Sequence, residues 1–585
     1  MLLPKRRWMH WLRKSWQNKA LWKNTQDPLP TARQGIFLLN HVEEFDILKS
    51  RSLWMERNIM FVKIKADIRH WLRELDKKYF CVMLGFAVVV YFPLISQRLV
   101  NTFDGLWNGS WFIGGFWELS IGRWLWCVAD AVRFGVQTEP LNALLTLSMM
   151  VLGITLLRRL FVERDNALTY FAGMAAISGA AVGVQLSYRY MSPIFGLSFL
   201  FAVLAAYWVI TITHAGAAVG CGAAILALSL GLYQANLAVF CMILLAYLLR
   251  LLFQNAEPQK TGVHIAKSLG SAAAGMVLYW LVLKLVLALC RIDLTSYNGA
   301  AEISVKSILF GLPNGILQAY RIFGIYFFRN AYRHNTLQPF GLFAAVLAML
   351  AVWFLCCFVR MARSGKIRSL LLGAAALLAL PLACNAMMLI SSEAVWRMQM
   401  GGGLALFVPL CLLLLEGTRP EQGSKARWLV LVLAFLVVYG NVYMMAVDQE
   451  AMRQGRDSLR VMSDQIVNDL TEEGCFDEGN HWSVMIAGRP SSNPTFKKGD
   501  LYPSANRYAQ MGCFWLSPEC ARLSWRGVFE KITPVEITLC EDEDYQKLRQ
   551  TELVAEMPVY PQEGYIQQVG DIVIVKVSED YLIDE

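Results

Sequence analysis

The chain has 585 residues, 56% of them hydrophobic and only 17% charged, at a mean hydropathy of +0.40. Soluble globular domains carry nearer one quarter charged residues, so a chain this long and this poor in charge must bury apolar surface in lipid, which excludes an ordinary soluble enzyme. The formal net charge of +9 does not point to nucleic acid either, because residues 1–78 alone hold 17 Lys/Arg against eight Asp/Glu and the rest balances.

A basic arm ahead of a first apolar segment marks the cytoplasmic side of a membrane and an anionic leaflet. Residues 1–40 interleave Lys/Arg with Trp8, Trp11, Trp16 and Trp22 and break at Pro28 and Pro30. They lack the apolar core of a signal peptide and read as a cytoplasmic extension, or as an over-long start with translation beginning at Met55 or Met60. Ile64, Ile68, Trp71, Leu72 and Leu75 recur at helical spacing, which predicts a short amphipathic helix over 61–78 along the inner surface.

From residue 79 the hydropathy repeats at the length of a bilayer crossing, about 20 residues. Eleven spans are predicted, over 79–96, 140–157, 167–186, 192–212, 216–232, 236–253, 268–290, 338–359, 369–390, 401–416 and 427–447. With the N-terminus inside, the inner loops are 158–164, the turn at His214, 250–267, 360–368 and 416–427, and four of these five carry the Lys/Arg clusters the positive-inside rule requires. The outer segments are then 97–139, 187–191, 233–235, 291–337, 391–400 and the tail from 448. That tail turns charged and polar. A helix over 448–470 and strands at 482–487 (WSVMIA) and 571–577 (DIVIVKV) predict a small soluble α/β domain. Of thirteen cysteines, nine lie in or beside apolar segments, where a lone Cys behaves as a small hydrophobe. In an extracytoplasmic tail Cys475, Cys513, Cys520 and Cys540 are able to pair, with Cys513–Cys520 closing the shortest loop.

Candidate chemistry collects on the outer face. The first loop, NTFDGLWNGSWFIGGFWELSIGRWLW over 101–126, sets Asp104, Glu118 and Arg123 among aromatics such as Trp107, at the depth where ring bodies meet lipid and ring edges meet water. Short turns contribute Arg189 (SYRYMSP), Tyr233 with Gln234 (LYQAN), and Glu393 with Arg397 (SSEAVWRMQ). The second loop adds Glu302, Arg321, Arg329 and Arg333. Charges beside span ends are costly unless paired or wetted, so they are site candidates by default. Arginines converging near acids at an outer leaflet suit a phosphate held on a lipid. Asp130 and Arg133, three apart on a helix, read instead as a surface pair. No Gly-rich nucleotide loop, no Walker loop and no metal-spaced Cys/His group is present.

The first-loop pattern TFDGLW…W…GRWLW, the LYQAN turn and an Arg in a late outer turn resemble the bacterial O-antigen-modifying glucosyltransferases of the glucosyltransferase II type. The resemblance covers about 80–447. It implies an all-α polytopic, GT-C-like membrane domain over 79–447 in the bacterial cytoplasmic membrane; the basic leader and the tail at 448–585, extracytoplasmic by the odd span count, are departures that the family core does not explain. It implies an undecaprenyl-phosphate sugar donor, usually glucose, attacked on the outer face by a hydroxyl of a surface polysaccharide. Asp104 would be the general base, Glu118 a second acid, and Arg397, Arg189 and Arg123 the donor-phosphate ligands, with Trp107, Tyr233, Gln234 and Glu302 around the substrate. A single displacement would invert the anomeric centre. No cofactor is assigned. An assisting Mg or Mn ion on Asp104, with Glu118 or Glu302, is left open, and the rival functions are a lipid-linked glycan flippase without chemistry, a scaffold, or a transferase of another prenyl-linked sugar.

Overall fold

The structure is a computed structural model that describes residues 76–100, 103–108, 111–297, 304–329, 340–392, 394–418, 424–477, 482–497, 518–533 and 535–582. The basic arm and the amphipathic helix expected up to residue 75 lie outside the described residues, as do Glu302, Arg333 and Glu393 and the side chains of Trp107 and Arg329.

The first apolar helix, Lys77–Val90, is started by Asp76, whose carboxylate accepts the Tyr79 N–H at 3.0 Å and pairs with Arg158 at 3.0 Å. Two fully buried tyrosines hold it to the helix Ala167–Ile177. The Tyr79 and Tyr91 hydroxyls donate to the carbonyls of Thr169 at 3.0 Å and Ile177 at 2.8 Å. Inside an apolar bundle a polar hydrogen has to find its acceptor within the protein.

Seven helices among the described residues are long and apolar enough to cross a membrane: Leu141–Phe161, Ser192–Thr211, Ala215–Leu232, Gln234–Phe253, Pro258–Cys290, Ala345–Arg363 and Ala426–Glu472. Ala167–Ile177 and Ala180–Ser187, bent by 42° at a short break, make an eighth if taken together. The eleven full spans expected from hydropathy are therefore not reached. The segment over 79–96 is a 14-residue helix that breaks at Tyr91, just before Pro93. Ile367–Leu378 has 12 residues and gives way to a separate turn carrying Pro381, and Gly402–Gly417 has 16. Proline removes a ladder donor inside an apolar window without lowering its hydropathy.

The last span and the helix predicted over 448–470 are one continuous helix of 49 residues, Ser424–Glu472, which contains no proline. Gln449 on it repairs the break in the first helix. Its side-chain oxygen accepts the Leu94 N–H at 3.0 Å and its amide donates to the Val90 carbonyl at 2.9 Å. This helix runs into a small three-stranded sheet, β1 Ser483–Ala487, β2 Ile566–Val569 and β3 Ile572–Lys576, ordered β1-β3-β2 with β1 parallel and β2 antiparallel to β3.

Alternation along the strands sends Val484, Ile486, Val573 and Val575 to one core with Trp525 and Phe529, and Met485 and Ile574 to another with Tyr545 and Val554. The first of these cores also contains Leu106, from the first loop. Cys475 and Cys540 are free thiols, and the side chains of Cys513 and Cys520 lie outside the described residues.

Candidate active site

Asp104 sits in the first turn of a five-residue helix, Phe103–Trp107. Asn108 closes that helix, its backbone and side-chain amides both donating to the Asp104 carbonyl oxygen at 3.2 and 2.8 Å. The Asp104 carboxylate is half-buried, and among the described residues only burial and the charges of Arg123 and Glu118 act on it, with no hydrogen bond. Burial pushes its carboxyl up to about 6, against the pull of Arg123 and with the help of Glu118. Those two charges, brought from 19 and 14 positions further along, are the ones that act on it.

The loop between them is built by its own polar groups. Gly114 N–H and the Trp126 indole N–H both reach Asp130 Oδ2, at 2.9 and 2.7 Å, and Arg133 Nε reaches Oδ1 at 2.8 Å. Asp130 is wholly buried, so the Asp130–Arg133 pair exists as its spacing predicts but is an interior tie rather than a surface pair. The reason is that the loop folds over it, with Trp111 bridged to Val136 and Arg133 also donating to the carbonyls of Val136 and Tyr190. Glu118 accepts the Gly115 N–H at 2.6 Å and so starts the short helix Phe116–Ser120. Burial raises its carboxyl as well.

Gly122 then turns the chain at φ +86°, a conformation that strains any side chain. A Cβ there would also lie 2.6 Å from the Tyr279 hydroxyl. Tyr279 donates to the Gly122 carbonyl at 3.0 Å, and the Gln234 amide donates to the Ile121 carbonyl at 2.9 Å. Gln234, expected to meet substrate, has its amide nitrogen committed to this turn.

The turn presents Arg123. Its guanidinium carbon stands 5.2 Å from the ring centres of both Trp126 and Tyr233. Among the described residues it makes no ion pair, and its Nε is buried without a hydrogen-bond partner. A cation against two aromatic faces, with its Nε unpartnered, is arranged to receive an anion.

The other two arginines named from the sequence sit in different local settings. Arg189 donates to the Arg98 carbonyl at 3.0 Å and leaves its Nε buried and unpartnered. Burial lowers it, opposed by Glu139. Glu139, which the sequence did not single out, keeps one carboxylate oxygen buried without a partner. Arg397 is exposed on the turn before Met398–Met400. It adjoins a groove of about 550 Å³ whose walls include Arg321, Gln318, Tyr326, Val395, Trp396 and Met398. Among the described residues no three metal-ligating side chains stand together.

Sequence reasoning also missed Lys531, at the end of the helix Pro518–Lys531. Its ammonium donates to the carbonyls of Gly105 at 3.0 Å, Leu106 at 2.6 Å and Asn108. No local signal announces it, because its partners lie more than 420 positions away.

The fold and site together define a polytopic helical membrane protein with a cluster of acids, arginines and aromatic rings at one end of its bundle. Residues 108–409, more than half of the chain, match the family described as glucosyl transferase GtrII, and the chain belongs to that family. The matched stretch begins just past Asp104 and contains Glu118, Arg123, Arg189, Tyr233, Gln234, Glu302 and Arg397. A curated protein of Salmonella phage P22, described as an uncharacterized 55.3 kDa protein in the gtrB 5′ region, is 24% identical over 255 residues, 42% of this chain and 50% of that one. The chain thus spans about half the length of the curated relative it matches. No solved structure matches.

Proposed function

We propose that this protein transfers glucose from an undecaprenyl-phosphate donor to a hydroxyl of the O-antigen polysaccharide on the outer face of the bacterial cytoplasmic membrane. The observation that carries this is the pairing of a half-buried, unpartnered Asp104 with an unbridged Arg123 guanidinium held against aromatic rings. The acceptor oxygen attacks the anomeric carbon while the bond from that carbon to the phosphate oxygen breaks. The hydroxyl proton goes to Asp104, whose raised carboxyl suits a base working near neutral pH. The lipid phosphate leaves with the electron pair, and its growing charge is met by Arg123. One displacement inverts the anomeric centre.

Trp126 and Tyr233 are buried and flank Arg123, so they hold the guanidinium rather than a sugar ring. The mostly apolar groove beside Arg321 and Trp396 suits a prenyl chain, with Arg321 and Arg397 near its phosphate. Glu118 and Arg189 act by shaping the charge around these groups.

The test is turnover by membranes holding wild type or Asp104→Asn, supplied with polyprenyl-phosphate glucose or with a nucleotide sugar. Glucose should pass to the acceptor from the lipid donor alone, and the variant should lose about 10²- to 10⁴-fold. Wild-type transfer by the variant would remove Asp104 as base. Movement of lipid-linked glycan with no new glycosidic bond would favour a flippase.

A further inference from the structure

The helix that carries Asp104 is too short to hold itself in place. It has five residues, and isolated helices below about 12 residues are marginal in water. Its position is therefore decided by what it is packed against, and that is the C-terminal segment.

Three observations converge. Leu106, on the turn after Asp104, is 7% exposed and belongs to the same core as Trp525, Val528 and Phe529 of the helix Pro518–Lys531. Gly527 faces it backbone to backbone, and a Cβ on Gly527 would fall within 2.0 Å of the Leu106 carbonyl oxygen. Lys531 supplies three donors to three carbonyls, those of Gly105, Leu106 and Asn108, at the open end of the short helix. An ammonium there also meets the negative end of the helix dipole.

We propose that the C-terminal segment is a working part of the active site, in which Lys531, backed by the Gly527–Leu106 contact, is the positioning residue that sets Asp104 against Arg123. Resting on the role given to Asp104 above, Lys531 touches neither substrate nor reacting atoms and acts through the helix it holds. A tail serving only to gather acceptor glycan would have no need of these contacts.

The experiment uses the full chain in nanodiscs. Wild type, Lys531→Met, Lys531→Arg and Gly527→Ala are compared for kcat, for KM of the lipid donor, and for amide hydrogen exchange over 103–108. Lys531→Met should lower kcat by about 10²-fold, the scale of a displacement near 1 Å, with KM little changed. Exchange over 103–108 should rise in the same variant. Lys531→Arg, which keeps the charge and the donors, should recover most of both. Gly527→Ala should move exchange in the same direction even if it folds poorly, because the added methyl meets backbone rather than a mobile side chain.

Unchanged exchange and unchanged kcat in Lys531→Met overturn the proposal, and so does a loss of kcat that Lys531→Arg fails to recover. If exchange rises as expected while Asp104→Asn keeps wild-type turnover, the clamp stands and the base assignment is what fails.

Discussion

The Lys531 ammonium lies 2.6 Å from the carbonyl oxygen of Leu106, across 425 positions of sequence. Through it the last part of the chain grips the first loop beyond the first apolar helix. The first loop and a helix of the C-terminal segment therefore meet at one site, and the predictions below test its parts separately.

Asp104 gives the acid limb of the pH profile. Burial and the Glu118 charge raise its carboxyl to about 6 in the folded protein, so it is protonated, and unable to accept a proton, below that pH. Turnover should fall as pH drops through about 6. A profile flat down to pH 4 would show that no carboxylate of this kind takes the proton. The same raised value means the folded state binds more protons than the unfolded chain between about 4 and 6, so this group lowers stability as pH rises through that window.

Lys531 gives the alkaline limb. Burial and the neighbouring Arg189 lower its ammonium to about 8, opposed by Glu530. As it loses its proton it drops from three donors to two, and turnover should decline above about pH 8. Arg does not titrate in that range, so Lys531→Arg should extend activity to higher pH. An unmoved alkaline limb in that variant assigns it to another group.

Arg123 is held by two ring faces rather than by an acid, which suits a planar guanidinium better than a compact, strongly hydrated ammonium. Arg123→Lys should therefore not behave as a conservative change. A fall in kcat/KM of about 10²-fold, for a donor lost from a charge-stabilising site, is expected from single-turnover measurements. Retention of more than half the wild-type value would show that the charge alone suffices.

Asp130→Asn tests architecture rather than chemistry. Removing one partner of a buried ion pair costs about 3–5 kcal/mol, and here the Gly114 and Trp126 donors are weakened too. Thermal unfolding followed by tryptophan fluorescence should shift down markedly, while turnover per folded molecule stays within a few-fold. Loss of turnover without loss of stability would place Asp130 in the reaction.

Much of the local structure was legible. Apolar runs gave the helices, the short segments WSVMIA and DIVIVKV gave β1 and β3, and a spacing of three gave the Asp130–Arg133 pair. Residues 483–487 and 572–576 are strands where WSVMIA and DIVIVKV predicted them. The span count failed because hydropathy averages over a window in which Pro93 or Pro381 breaks the ladder while the apolar total stays high. The buried state of Asp130 was not legible either, since helical spacing says which residues meet and nothing about what later covers them.

Periodicity, charge and composition are properties of neighbours along the chain, and they determined that this protein is a bundle of apolar helices with charged loops and a polar tail. Asp104, Glu118 and Arg123 share one loop, but what holds that loop was decided by packing against a residue hundreds of positions away. Only the folded chain could set Arg123 against the rings of Trp126 and Tyr233 and bring Lys531 to the helix of Asp104. Such contacts depend on the shapes of two buried surfaces meeting, which no single stretch of sequence contains.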